Sequence, residues 1–274
     1  MESTSVANIR HHWYIHPASG PEALLEFPPA LLLGYGVYTS FCWPLSRLDF
    51  NAHIDRLAHD AGVLGIPLAH SADSLFTMLK AHCEADSAWR LTLVPEKTSE
   101  TFLGSDISNS ILLLSRRTQS TDTRTPLKLK SVQATRMLSG IKHLSIAPAL
   151  AQKKRARAEG YDDIVWLNSD HTLSEASTSN IFFIKENTLY TPNPDIHHCL
   201  PGITRQKIIN ALPELDLTLS DEAITYNRLG TFEGAFLTNA IRGTHKVESI
   251  DGIAFKWPKT AFNILNVVSD AVTS

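Results

Sequence analysis

The pattern of apolar and polar positions in the first half of the chain predicts strands and helices in mixed order. β-Branched and aromatic residues predict a strand at 37–43, and Pro44 ends it. Apolar residues spaced three and four apart then form one helical stripe over 49–66, with Asp49 as the predicted N-cap and Gly65 at the end. The other predicted elements are a helix at 71–85, capped at Ser71 or Ser74, and strands at 89–95 and 110–116.

A polar segment rich in serine and threonine separates the two halves of this pattern. Residues 118–126 close with a proline and are typical of an interdomain linker. They divide the chain into an N-terminal domain, 1–117, and a C-terminal domain, 127–274. In the C-terminal domain the pattern predicts strands at 127–136 and 162–168, hairpins from 172 to 192, a helix at 147–160 that Gly160 ends, and a loop that enters a helix at 201–212. At 234–243 it predicts a buried strand that Thr238 and Asn239 end and that runs into a loop.

Composition places the chain among ordinary soluble globular proteins. It has 274 residues, of which 43% are hydrophobic and 19% charged. The formal net charge of −3 gives no electrostatic reason to expect nucleic acid or an anionic membrane as a partner. No run approaches the length of an apolar membrane span, and the N-terminus lacks the apolar core of a secretory signal. We therefore expect neither nucleic acid nor a membrane as a partner, and a cytoplasmic location.

Cysteine is scarce and does not predict a structural site. Cys42, Cys83 and Cys199 are odd in number and widely spaced, and no CxxC motif is present. Neither a disulfide framework nor a zinc site is indicated, and no metal site is predicted.

One lysine stands in an apolar window, which raises the question of its function. Lys142 lies in LSGIKHLSIAPAL, 138–150, although lysine is seldom fully buried unless it is paired. The side chain could extend out of an apolar surface and keep its ammonium group in water. Alternatively, desolvation by Ile141, Leu144 and Ile146 could lower the pKa of the amine and make it nucleophilic. The window by itself leaves both interpretations open.

Other polar residues also have two interpretations each. Glu175 lies among small hydroxylated residues and could belong to a surface turn or face a ring nitrogen. Arg56 could make a bidentate contact with a phosphate, or it could form an ion pair with Asp60 one helical turn away. The loop PGITR leads into a helix. The first backbone N–H groups of this helix could bind a phosphate, or they could belong to an ordinary helix start with Thr204 near the N-cap.

Taken together and in order, seven segments resemble one enzyme family. They are GVYTSF, HIDRL, IKHL, GYDDIVWLN, SEASTSNIFF, LPGITR and LTNAIRG, which span roughly residues 30–250. They resemble the fold-type IV pyridoxal phosphate enzymes, which include the branched-chain and D-amino-acid aminotransferases and aminodeoxychorismate lyase. The resemblance implies a two-domain α+β architecture like that of D-amino-acid aminotransferase. It has a smaller N-terminal α/β domain, a larger C-terminal domain with a barrel-like sheet, and a homodimeric assembly.

The resemblance also implies a role for each matching residue toward pyridoxal 5'-phosphate. Lys142 matches the lysine that forms a Schiff base with the cofactor and then moves protons. Glu175 matches the acid that pairs with the pyridine nitrogen. The residues that match the phosphate-binding positions are Arg56, Ile203, Thr204, Asn239 and Ala240.

Within the family, the two residues that follow the aromatic Tyr38 in the strand at 37–43 favour the lyase. Aminotransferases of this fold usually have a glutamate where this chain has Thr39, followed by Ser40. We therefore expect elimination of pyruvate from 4-amino-4-deoxychorismate, a small-molecule substrate, to give 4-aminobenzoate for folate synthesis. Either Lys142 or Thr39 is the candidate donor of a proton to the departing group. Arg242 would suit a substrate carboxylate, and Tyr38 is either a substrate-binding residue or a core residue.

Two other functions remain open, and two residues depart from the family pattern. The chain could be an aminotransferase acting on D-amino or branched-chain amino acids, or an inactive binding module of the same fold. Tyr35 stands where the family usually has aspartate, and Pro148 follows the lysine where proline is unusual. Pro148 is compatible with the first turn of a helix.

Overall fold

The computed structural model describes residues 12–16, 20–22, 29–96, 107, 109–117 and 125–273, and these fall into two compact units. The first unit takes in the described residues up to Arg117 together with Ile141–Ser145, and the second takes in the rest. The segment that carries Lys142 thus groups with the first unit although it follows the predicted linker. Residues 118–124 of that linker lie outside the described residues, and the domain boundaries stay predictions.

The described part of the first unit contains a five-stranded antiparallel sheet in the order β2-β1-β5-β4-β3. The strands are β1 (His12–His16), β2 (Gly20–Glu22), β3 (Val37–Trp43), β4 (Ser87–Pro95) and β5 (Ser110–Arg117). The predicted strands at 37–43, 89–95 and 110–116 are confirmed. β3 and β4 pair over their whole common length, from Val37 opposite Leu93 to Trp43 opposite Ser87.

Three helices accompany this sheet: α1 (Pro29–Leu32), α2 (Arg47–Val63) and α3 (Ala72–His82). Phe50 and Leu57 of α2 are fully buried and belong to the same apolar cluster as Phe41 of β3. The cluster confirms the apolar stripe predicted for this helix. The packing fixes which side of β3 faces the helix, because alternate residues of a strand point to opposite faces.

The first turn of α2 corrects one prediction and the first turn of α3 confirms another. The N-cap of α2 is Ser46 rather than Asp49, because the Ser46 hydroxyl accepts a hydrogen bond from the Asp49 backbone N–H at 3.0 Å. Asp49 instead lies in the first turn, where its charge favours the helix dipole. In α3, Ser71 is the N-cap and accepts from the Ser74 N–H at 3.2 Å.

The second unit is built on a nine-stranded mixed sheet, counted over its described residues. Its path is β11-β10-β9-β12-β13-β6-β7-β8, with β14 paired to β13. β6 pairs in parallel with both β13 and β7, and the neighbouring pairs of β12 are antiparallel. The strands are β6 (Leu127–Gln133), β7 (Asp163–Leu167), β8 (Leu173–Ala176), β9 (Asn180–Lys185), β10 (Thr188–Tyr190), β11 (Thr218–Ser220), β12 (Gly234–Asn239), β13 (Gly243–Ile250) and β14 (Ile253–Ala254).

The helices of the second unit are α4 (Ala147–Ala158), α5 (Pro194–His197), α6 (Ile203–Ala211) and α7 (Lys259–Thr273). Pro148 lies in the first turn of α4 as expected, and Gly160 follows the helix with φ of +88°. The sequence pattern did not predict α7 or β13. Within the described ranges, no helix has both the length and the apolar character that a membrane crossing requires.

One predicted strand is shorter in the structure than in the pattern, and the predicted end of another is confirmed. The strand predicted at 127–136 ends at Gln133. The strand predicted from Gly234 ends at Asn239, where the pattern had placed its end. The side-chain oxygen of Asn239 accepts from the N–H groups of Ile241 and Arg242 and so forms a turn. The mixed helix and strand content of both units confirms the α+β class.

Candidate active site

The predicted site residues fall in both units. In the first unit, Lys142 lies in a segment that runs beside β3. Its carbonyl accepts from the Tyr38 N–H at 2.9 Å, and its own N–H donates to Oδ2 of Asp60 at 2.9 Å. Next to it, Val37 and His143 form an antiparallel bridge. The backbone of Lys142 is therefore held by β3 on one side and by α2 on the other.

The side chain of Lys142 is half-buried and lies against an aromatic ring. Its Nζ atom is 4.9 Å from the centre of the Tyr38 ring. At this distance the electron-rich face of the ring attracts an ammonium group. The side chain thus lies on the Tyr38 side of β3, and it is neither fully solvated nor fully buried.

Thr39 points to the opposite side of β3, toward α2. It is fully buried, its hydroxyl lies 2.6 Å from Nδ1 of His53, and it accepts from Nη2 of Arg56 at 2.9 Å. The role of Thr39 as a proton donor to substrate stays a prediction, and this placement does not favour it, because the hydroxyl is enclosed between strand and helix. Thr39 instead positions Arg56.

Arg56 has the properties expected of a buried anion-binding group. Burial lowers the pKa of its guanidinium, while the negative charge of Asp60 and the ring hydroxyl of Tyr38 oppose that shift. Its Nε atom has no hydrogen-bond partner among the described residues. A buried donor without a partner is costly, so an anion at this position would stabilise the arrangement.

Sequence reasoning missed Arg90, which lies on the same side of β3 as Tyr38. The Arg90 guanidinium stacks 4.0 Å from the centre of the Tyr38 ring, and its Nε donates to Oγ of Ser40 at 3.3 Å. Burial lowers the pKa of Arg90, Tyr38 opposes that shift, and Arg117 adds to it. The available signal was an arginine in the otherwise buried strand β4. The contact between Arg90 and Ser40 depends on the register of β3 and β4, and these two residues are 50 positions apart in the sequence.

In the second unit, Glu175 is a buried carboxylate on β8. It forms an ion pair with Nη1 of Arg136 and accepts from Nδ2 of Asn180 at 3.3 Å. Arg136 lies in the segment that follows β6 and also donates to the Ser139 carbonyl at 3.4 Å. The structure thus rules out the surface-turn interpretation of Glu175, and the sequence analysis had not found Arg136.

The start of α6 offers backbone donors, as the loop PGITR predicted. Gly202 is the N-cap and no side chain within the described residues caps the helix, so the first N–H groups, including those of Ile203 and Thr204, are available. Asn180 holds the preceding loop, since its Nδ2 donates to the Leu200 carbonyl at 2.8 Å. A helix start of this kind favours a phosphate group.

A second turn in the same unit carries the other predicted phosphate residues. Nδ2 of Asn239 donates to Oγ of Ser179 at 2.8 Å, which ties the end of β12 to the loop after Glu175. The buried hydroxyl of Thr238 has no hydrogen-bond partner among the described residues. Ala240 belongs to the turn that Asn239 forms, and the side chain of Arg242 is exposed beyond it.

Replacing Gly202 by alanine is expected to disturb this phosphate loop. The new Cβ would collide with Oδ1 of Asn180, which cannot move freely because its amide bonds Leu200 and Glu175. Such overpacking typically costs about 1–3 kcal/mol. Urea unfolding should show this loss of stability, together with weaker binding of pyridoxal phosphate.

The matched control for this substitution is Gly230→Ala. A Cβ at Gly230 meets nothing within 4 Å, so stability and cofactor binding should stay at the level of the parent protein. A Gly202→Ala protein as stable as the control would contradict the close approach of Gly202 to Asn180.

Both sets of residues fit pyridoxal phosphate. The second unit supplies a buried carboxylate for a protonated ring nitrogen. For phosphate oxygens it supplies the backbone donors of a helix start and the Thr238 hydroxyl, which lacks a partner in the described part of the chain. The first unit supplies a partly buried guanidinium, whose Nε–H has no partner in that part of the chain, and a half-buried lysine amine. The roles of Lys142, Glu175, Arg56, Ile203, Thr204, Asn239 and Ala240 stay predictions that this chemistry supports.

The chain matches the family described as amino-transferase class IV over residues 42–250. The "Probable branched-chain-amino-acid aminotransferase" of Rickettsia felis is 28% identical over 220 residues, which cover 73% of this chain and 71% of that protein.

Solved structures show the same fold. The structure of a "Putative 4-amino-4-deoxychorismate lyase" from Legionella pneumophila superposes with a TM-score of 0.81 at 23% identity, covering 92% of this chain and 96% of that one. A hypothetical aminotransferase from Mycobacterium tuberculosis in its pyridoxal phosphate-bound form gives a TM-score of 0.78 at 17% identity, covering 95% and 98%. The predicted fold-type IV architecture is thereby confirmed.

Enzymes with this fold use pyridoxal phosphate as their cofactor, and they include aminotransferases and lyases. The family match covers most of the chain, and the described residues fit the cofactor. This protein therefore belongs to the class IV aminotransferase family of pyridoxal phosphate enzymes.

Proposed function

We propose that the protein is a 4-amino-4-deoxychorismate lyase, which eliminates pyruvate from its substrate and leaves 4-aminobenzoate for folate synthesis. One observation carries the proposal. A hydroxyl and a guanidinium, those of Ser40 and Arg90, lie on the same side of β3 as Tyr38, whose ring contacts the amine of Lys142. Elimination needs a base, a proton donor and a binding group for carboxylates, and this face offers all three.

Arg90 supplies the charge that an anionic substrate needs. The substrate carries more than one carboxylate, and a guanidinium binds a carboxylate through two parallel N–H bonds. Stacking on Tyr38 holds the guanidinium plane in place, and partial burial strengthens its attraction for an anion. We assign Tyr38 the task of supporting Arg90 and Lys142. Arg242 keeps its predicted role at a second carboxylate.

The amine of Lys142 is the base in this mechanism. When bound, pyridoxal phosphate supplies an electron-accepting ring that stabilises negative charge at the neighbouring substrate carbon. Lys142 removes the proton from the amine-bearing carbon. The electron pair forms the new ring double bond, and the carbon–oxygen bond to the enolpyruvyl group breaks. The departing group takes up one proton and leaves as pyruvate, and the six-membered ring becomes aromatic.

Ser40 is the proton donor in our proposal, in place of Thr39. The two residues are adjacent but face opposite sides of the strand, and Ser40 is the one on the Lys142 side. The N–H that Arg90 donates to the Ser40 oxygen stabilises negative charge there, so the hydroxyl gives up its proton more readily. Thr39 acts through Arg56 instead.

Ser40→Ala should lower the rate of 4-aminobenzoate release by about 10²-fold, within the range for loss of a general acid. Ser40→Thr keeps a hydroxyl on the same strand face and should retain most of the activity. The binding of pyridoxal phosphate should be unchanged in both variants. Equal rates for the alanine and threonine variants would remove Ser40 from the mechanism.

An aminotransferase is the second candidate, because relatives such as the Rickettsia felis protein are named branched-chain aminotransferases. The two activities separate in one experiment. The holoenzyme is mixed with a supply of 4-amino-4-deoxychorismate and assayed for 4-aminobenzoate, and in parallel with L-leucine, L-valine or D-alanine alone. The lyase proposal expects product in the first assay and a stable visible absorption band in the second. Absence of product together with rapid loss of the band would replace it with the aminotransferase.

We further propose that the protein is a homodimer, as the family resemblance implies, and that it is cytoplasmic. The substrate and product are small metabolites, and no described helix can span a membrane.

A further inference from the structure

A buried carboxylate of α2 contacts the backbone of Lys142. Asp60 is fully buried, and its Oδ2 accepts from the Lys142 N–H at 2.9 Å across 82 residues of chain. Its other oxygen lies 3.2 Å from Nδ1 of His59, whose side chain is largely exposed. An ionised carboxylate is costly to bury unless it is paired or hydrogen-bonded. An apolar residue would fill this helix position at less cost, so the acid calls for a reason.

Asp60 and Arg56 occupy the same side of α2, one helical turn apart. The carboxylate opposes the effect of burial on Arg56, since its charge raises the pKa that desolvation lowers. One helix therefore carries both the guanidinium suited to the cofactor phosphate and the acceptor that holds the lysine segment. An α-helix is stiff over one turn, so the two groups keep a fixed relation.

The second hydrogen bond of Lys142 completes this arrangement. Its carbonyl accepts from the Tyr38 N–H of β3, so strand and helix hold the peptide units on either side of one Cα atom. Orientation of this Cα sets the range of positions that the Nζ atom can reach. A nucleophile that is held in place before reaction avoids part of the entropic cost of bringing reactants together.

We propose that Asp60 is a positioning residue that ties the backbone of Lys142 to the helix that carries Arg56. The proposal rests on the role of Lys142 as the cofactor-binding lysine and is independent of which reaction follows. It assigns Asp60 no contact with substrate or cofactor.

Hydrogen–deuterium exchange of the cofactor-free protein tests the proposal directly. The measurement follows the Lys142 amide in wild type, Asp60→Ala and Asp60→Asn, and each protein is then titrated with pyridoxal phosphate. The alanine variant removes the acceptor, whereas the asparagine variant keeps an oxygen in the same place without the charge. The matched control is Asp55→Ala, which removes an exposed acid from the same helix.

Loss of the acceptor should release the lysine segment. In Asp60→Ala, the Lys142 amide should exchange about tenfold faster or more, and pyridoxal phosphate should bind about tenfold more weakly. In Asp60→Asn, both values should stay within about threefold of wild type, because an amide oxygen also accepts a hydrogen bond. Asp55→Ala should match wild type.

Wild-type protection of Lys142 in a folded Asp60→Ala protein would overturn the proposal, as would an asparagine variant that exchanges as fast as the alanine one. If Asp60→Ala does not fold, the test rests on Asp60→Asn alone. Fast exchange of the Lys142 amide in folded Asp60→Asn contradicts the proposal, and retained protection of that amide supports it. A failed lyase assay leaves these exchange rates unchanged, so the two proposals fail separately.

Discussion

Replacing Lys142 by alanine is expected to abolish 4-aminobenzoate release and the visible absorption band of the protein loaded with pyridoxal phosphate. Lys142 provides both the covalent attachment and the base, so the rate should fall by about 10⁴-fold. Fold stability should change little, because the backbone bonds of Lys142 to Tyr38 and Asp60 do not involve its side chain. The measurements are product release, the absorption spectrum and thermal unfolding.

The control for this prediction is Lys154→Ala, which removes an exposed lysine of α4. It should leave product release and the absorption band unchanged. A Lys142→Ala protein that remains coloured, with its cofactor trapped by borohydride on another lysine, would overturn the assignment of Lys142. A parent protein that stays colourless with added cofactor would favour the inactive binding module.

Glu175→Gln is expected to have the second largest effect. A carboxylate beside the ring nitrogen keeps that nitrogen protonated, whereas an amide cannot supply the charge. We expect kcat/KM to fall by about 10²-fold, in line with the loss of one preorganised electrostatic group. The absorption spectrum of the bound cofactor should also change, since the protonation of its ring differs.

The same substitution should also lower stability. It leaves the guanidinium of Arg136 without its charged partner in a site where the two side chains are 19% and 6% exposed. Breaking a buried ion pair can cost about 3–5 kcal/mol, and the partial exposure of Arg136 reduces that figure to about 1–3 kcal/mol. Urea unfolding measures this change.

A double variant separates the two effects of Glu175. Arg136→Met combined with Glu175→Gln removes the cation that has lost its carboxylate, so stability should recover while activity stays low. Glu214→Gln, which neutralises an exposed acid in the same unit, is the control and should change neither property. Full activity in the double variant would show that Glu175 serves the fold alone.

The sequence alone determined several secondary-structure elements and indicated the family of this protein. Local patterns determined β3, the apolar stripe of α2 and the helix start at Ile203, because each depends on neighbours a few residues away. The order of seven segments also indicated the family, and the family match over residues 42–250 agrees with it. The roles predicted for Lys142, Glu175 and Arg56 rest on this order of segments.

Only the tertiary structure decided which of these residues meet and which side they face. The alternation of β3 separates Thr39 from Ser40, but the packing of α2 decides that Thr39 is the enclosed one. Strand register brings Arg90 to Ser40, and the path of the chain brings Asp60 to Lys142. Contacts between residues far apart in sequence depend on the free energy of the whole packed unit, and no local pattern of side chains records them.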